Sequence, residues 1–138
     1  MTLTNAGARS VYFRDSVVSA PPSQLLVMLY DRLLLDLHRA EMAQETQDWL
    51  GASKQLVHAQ AIVTELTGTL KPELWDGGPA LMSIYLYVLQ ILRNGNVKHD
   101  IDPTRESIEL LEPLRQSWHD AVDGNAVSNS FAGISAVG

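Results

Sequence analysis

Apolar residues recur along this chain in steps of three and four, the rhythm of a helix with one greasy side. The longest unbroken run is Trp49, Ala52, Leu56, Ala59, Val63, Leu66 and Leu70. It predicts a helix ending near Leu70, capped by Thr46 or Asp48, either of which can accept a bond from a free N–H of the first turn. Upstream, "APPS" at 20–23 punctuates the chain, and a helix is predicted from about Pro22 to Met42. Proline suits a first helical turn because its missing N–H is not needed there. "QETQD" at 44–48 reads as a polar connection, and "LKPELWDGGP" at 70–79 reads as a loop because its prolines and glycines are so dense. A third helix is predicted from about Pro79 to Asn94, with Gly95 supplying the positive φ of a helix end. In "DIDPTRES", Asp102 is a good N-cap and Pro103 a good first residue. A fourth helix then runs to about Val122, with Ile108, Leu111, Leu114, Trp118 and Val122 on its apolar side. Pro113 inside it predicts a kink between Glu109 and Pro113, because proline removes a backbone bond and clashes with the carbonyl four residues back.

No stretch shows the alternation of a strand. The pattern therefore predicts an all-α fold, an antiparallel four-helix bundle over residues 19–123, with short links favouring antiparallel neighbours. Residues 1–18 are polar and mixed and read as a flexible N-terminal arm. The stretch "GNAVSNSFAGISAVG" has no charge and little to bury, so residues 124–138 are expected to be a disordered tail.

On helical wheels, three of the four helices carry more apolar residues than one face holds. In "MLYDRLLLDL", Leu29, Leu33 and Leu37 join Leu25 and Leu26 on a core face, and only Asp31, Arg32 and Asp36 interrupt the run. Met28 and Leu35 fall on nearly the opposite side, two turns apart on one line. Leu50, Val57, Ala61 and Thr64 flank the core stripe of the second helix. Met82, Leu86 and Leu89 form a second line on the third, with Tyr87 apart from both lines. Such surplus packs under the arm, under the 70–79 loop or in a dimer seam, or it forms a groove for an amphipathic helix of another chain. Met28 and Met82 would suit an adaptable surface of that kind.

Composition narrows the options further. A chain of 138 residues suits one domain that buries a core without disulfides or metal. The absence of cysteine fits a cytoplasmic protein. A net charge of -6 with scattered basic residues argues against a nucleic-acid partner. Leu81 to Leu92, the most apolar window, is too short for a membrane span, and the N-terminus lacks the apolar run of a signal peptide. None of His38, His58, His99 and His119 belongs to a Glu-x-x-His pair. His119 and Asp123 read as a solvated pair rather than as metal ligands. There is no Gly-x-Ser-x-Gly elbow and no phosphate loop. The predicted core offers Tyr30, Tyr85, Trp49 and Trp118 but no acid or base. No catalytic residue, cofactor or metal is expected, and the chain does not read as an enzyme.

Four segments, in order, resemble one family. "SVVSAPPSQLLVMLYDRLLLDLHRAE" is similar to the opening of the flagellar secretion chaperones (FliS), with their leucine pair and Met-Leu-Tyr-Asp. "KQLVHAQAIVTEL", "IYLYVLQILRNGNVKHD" and "LLEPLRQSW" resemble their later helical segments, so that the likeness covers roughly residues 11 to 123. It departs at Pro21, where the family has serine, and at Pro113. The resemblance implies a cytoplasmic export chaperone that binds the disordered C-terminal segment of flagellin in apolar grooves. It further implies that binding prevents premature polymerisation and aids delivery to an export gate component of the flagellar type III apparatus. On that reading Met28, Leu35, Leu50, Val57, Ala61, Met82, Leu86 and Leu89 line the grooves, and the arm covers them with Tyr12 as its anchor. The alternative is a self-associating structural bundle whose spare faces make a homodimer, a state also open to a chaperone without flagellin.

Overall fold

The computed structural model describes residues 22–71, 73 and 76–137, with side chains from Gln24 to Gly124. The arm expected at 1–18, Tyr12 included, lies outside the described residues. Four helices are present, α1 (Pro22–Glu45), α2 (Trp49–Thr69), α3 (Gly78–Lys98) and α4 (Asp102–Val137). The helix α1 packs on α2 and α4, and α3 packs on the same two. Asn96, near the end of α3, donates to Ser53 at the start of α2 (3.1 Å). Arg105, at the start of α4, reaches Glu41 and Glu45 at the end of α1. Neighbouring helices are therefore antiparallel, as the short links predict.

The core runs down the middle of this ring. It is built from Tyr30, Leu33 and Leu37 of α1, Leu56, Val63 and Leu66 of α2, Tyr85, Val88 and Leu92 of α3, and Leu111 of α4. Full burial of each such leucine or valine contributes about 1.5–3 kcal/mol. Two tyrosines cross the centre, their hydroxyls 2.7 Å apart, and Trp118 of α4 packs at 6.2 Å from the Tyr30 ring. The core also holds an acid, contrary to expectation, because Asp36 is wholly buried. Leu25, expected with the core leucines, is exposed instead. It sits in the first turn of α1, at the open end of the helix.

The helix ends follow local chemistry. Asp48 rather than Thr46 caps α2, its carboxylate accepting from Gly51 N–H at 3.0 Å, while Thr46 donates to the Ala43 carbonyl. Helix α3 does not stop at Gly95. It continues to Lys98 and ends on His99, whose φ of 54° supplies the left-handed residue. Gly95 serves close approach, since a Cβ there would lie 2.9 Å from Cγ of Pro103. Asp102 lies within α4 rather than capping it. The Ile101 carbonyl takes the first helical bond from Arg105 N–H, and Asp100 Oδ1 accepts from Asp102 N–H at 3.0 Å. Helix α4 is continuous through Pro113 and runs on to Val137, past the predicted end near Val122 and into the stretch expected as a tail. No proline follows Pro113, and no described glycine takes a positive φ that would stop the helix. No helix among the described residues is long and apolar enough to cross a membrane.

Candidate partner-binding face

Met28 and Leu35 point away from the core on α1, as their wheel positions predict, and Met28 is 66% exposed. Met42 extends the row by a further seven residues and is equally exposed. On α2, Leu50 (73% exposed) and Val57 (57%) form the matching row, with Ala61 exposed beside them. The contact between His58 and Asp36 sets the register of the pair, bringing Leu35 level with the Val57–Ala61 turn. In each helix the residue after the exposed one, Asp36 or His58, turns about 100° toward the other helix. Because the helices are antiparallel, both apolar rows then lie on the same outer side of the α1–α2 pair. A polar seam of Arg32, Asp36 and His58 runs between them.

Helix α3 contributes less than its pattern suggests. Leu86 is exposed, and Met82 is half-buried. Leu89 is 7% exposed and belongs to the core, so it cannot line an open groove. Its position next to Val88 and one turn before Leu92 draws it inward. Met42, Leu25, Tyr87 and Val97 are exposed apolar residues that the wheel reading did not place on this surface. The heptad step from Leu35 would have found Met42.

Three curated relatives carry the same description, "Flagellar secretion chaperone FliS". The one from Bacillus subtilis (strain 168) is 28% identical over 113 residues, which cover 82% of this chain and 84% of the relative. The one from Escherichia coli (strain K12) is 26% identical over 78% of this chain and 81% of its own. The one from Campylobacter jejuni is 26% identical over 91% of this chain and 99% of its own. The family model described as "Flagellar protein FliS" matches residues 4–125. The chain belongs to the FliS family.

In this FliS-family chain the other side of α1 carries a different surface. Asp31 accepts from Arg115 (3.1 Å) and His119 (2.7 Å) of α4. His119 thus pairs with Asp31 across the bundle, not with Asp123 on its own helix. Partial burial pushes the Asp31 carboxyl up, but the bonds from His119 and Arg115 outweigh it and leave it below the ordinary carboxylate value. Tyr87 donates to Glu106 at 2.5 Å between α3 and α4. Trp49 stacks on His99 at 4.7 Å, joining the start of α2 to the α3–α4 turn. Among the described residues no group of three or more His, Asp or Glu is gathered as a metal site. Asp31, Glu41, Glu45, Arg105, Arg115 and His119 pair with one another where α1 meets α4, whereas the apolar rows of α1 and α2 are not covered by other described residues.

Proposed function

We propose that this chain is a cytoplasmic export chaperone that holds the C-terminal segment of flagellin, as helix, along the outer face of α1 and α2. The observation that carries the reading is the pair of exposed apolar rows, Met28–Leu35–Met42 and Leu50–Val57–Ala61, in a member of the FliS family. Leu86 and Met82 extend the surface toward α3. Holding the segment keeps flagellin from polymerising early and presents it to an export gate component of the flagellar type III apparatus. The physics is folding coupled to binding. A disordered segment loses conformational entropy as it docks, so a long apolar interface is needed to offset that loss. The arm, with Tyr12 over the rows, competes for the same surface and screens it until flagellin arrives. Removing residues 1–18 is expected to raise flagellin affinity or to promote self-association.

Isothermal titration with the last several dozen residues of the same organism's flagellin tests the reading, with Val57→Asp beside the native chain. Tight one-to-one binding with a large negative heat-capacity change is expected, lost in Val57→Asp while that variant stays helical. A folded chain that ignores the segment and instead forms a stable dimer would assign the rows to self-association.

A further inference from the structure

Asp36 is fully buried, yet it stands one residue from exposed Leu35. A carboxylate in such a place persists only when both oxygens are hydrogen-bonded. Arg32 Nε donates to Oδ1 at 2.9 Å, and His58 Nδ1 meets Oδ2. A carboxylate only accepts, so the hydrogen in the second contact belongs to Nδ1. That bond fixes the imidazole. In its neutral form Nδ1 carries the proton, and Nε2, on the far side of the ring, carries a lone pair.

The His58 side chain is 52% exposed while its Nδ1 side faces buried Asp36, so the exposed end is the Nε2 end. None of the described residues hydrogen-bonds to Nε2. The ring stands in the seam between the two apolar rows, beside Val57 and facing the Leu35 turn. While the ring is neutral, the seam between the apolar rows thus carries one acceptor of fixed position, beside the half-exposed guanidinium of Arg32.

We propose that His58 is a specificity-determining residue of this face, its Nε2 accepting a hydrogen bond from a side-chain hydroxyl or amide on the docked helix. The proposal rests on the docking of a flagellin segment between the rows. A guest helix that is apolar at this point would strip water from Nε2 and leave it unpaired, a penalty of about tenfold or more in affinity. A guest with a Ser, Thr, Asn or Gln there satisfies it. Asp36 and Arg32 act as positioning residues, holding the ring and its tautomer without touching the guest.

The decisive variant is His58→Asn. Its amide nitrogen occupies the place of Nδ1 and still donates to Asp36, but it has nothing at the place of Nε2. Circular dichroism should show the helix content of the native chain. Titration with the flagellin C-terminal segment should show at least about tenfold weaker binding. Replacing the segment's Ser, Thr, Asn and Gln residues by Ala, one at a time, should reveal a single position whose effect vanishes in the His58→Asn background. If His58→Asn binds as tightly as the native chain, His58 serves only Asp36 and the proposal falls while the docking reading stands. If the native chain does not bind the segment, both fall together. Nitrogen NMR of the free protein gives an independent readout. A proton on Nδ1 of neutral His58 is expected, and a proton on Nε2 would overturn the proposal whatever the titration shows.

Discussion

Two seams join α1 to its neighbours, and they handle charge in opposite ways. Against α2, one carboxylate is sunk completely and both of its oxygens are engaged by side chains that are themselves half-exposed. Against α4, the carboxylates stay near the surface, where Asp31, Glu41 and Glu45 meet Arg105, Arg115 and His119. Among the described residues, the first seam is flanked by exposed apolar side chains and the second by ion pairs. An outer surface closed by ion pairs has little left to offer, while the one that buries its carboxylate and shows its hydrocarbon is the surface proposed to receive a guest.

The sharpest way to break this comparison is to strand the buried acid. Replacing Arg32 and His58 together by Ala leaves Asp36 without donors and should cost roughly 3 kcal/mol in urea denaturation at neutral pH. A loss no larger than that of an exposed pair would show that water reaches Asp36 freely. The centre between the seams should respond next. Tyr85→Phe removes one partner of the tyrosine pair and should cost about 1 kcal/mol. Burial raises both phenols, Tyr85 well above the ordinary tyrosine value. The folded state therefore keeps protons that the unfolded state gives up near pH 10. This stability is present in full below about pH 10 and is lost as the pH rises from there through the raised folded values. Alkaline melts should show a steep fall in the native chain and a shallower one in Tyr85→Phe.

The exposed seam should respond least. Arg105→Ala is expected to cost less than either of the preceding changes, and less still in high salt. Asp31 adds a small acid-side effect, because its carboxyl is held below the ordinary value. Its contribution is present above the unfolded carboxylate value and is lost as the pH falls through the depressed one. Comparing acid melts of the native chain and Asp31→Asn measures it.

Much of this was legible in the chain. Steps of three and four found the helices, and the opposite placement of Met28 and Leu35 found the outer row of α1. Asp36 was not legible, since an acid inside "RLLLDL" reads as a break in the apolar run. Its burial depends on a histidine 22 residues away, which no local pattern reveals. Leu89 failed for the converse reason. A wheel gives the direction of a side chain but not how far the neighbouring helix reaches around it. Gly95 suggests backbone freedom in the sequence, yet its role is to let Pro103 come near, a fact of tertiary contact.

The ring of helices also has an order in time. Three of its four seams join helices that follow one another in sequence, and only the α1–α4 seam spans long stretches, with bonds between residues 60 to 88 apart. Closing so long a loop is the slow and entropically costly step of a fold otherwise built from local contacts. During synthesis the residues of α1 and α2 are complete well before α4 exists. The surface proposed to receive a guest is therefore encoded in the first half of the chain, and the last helix arrives to lock it.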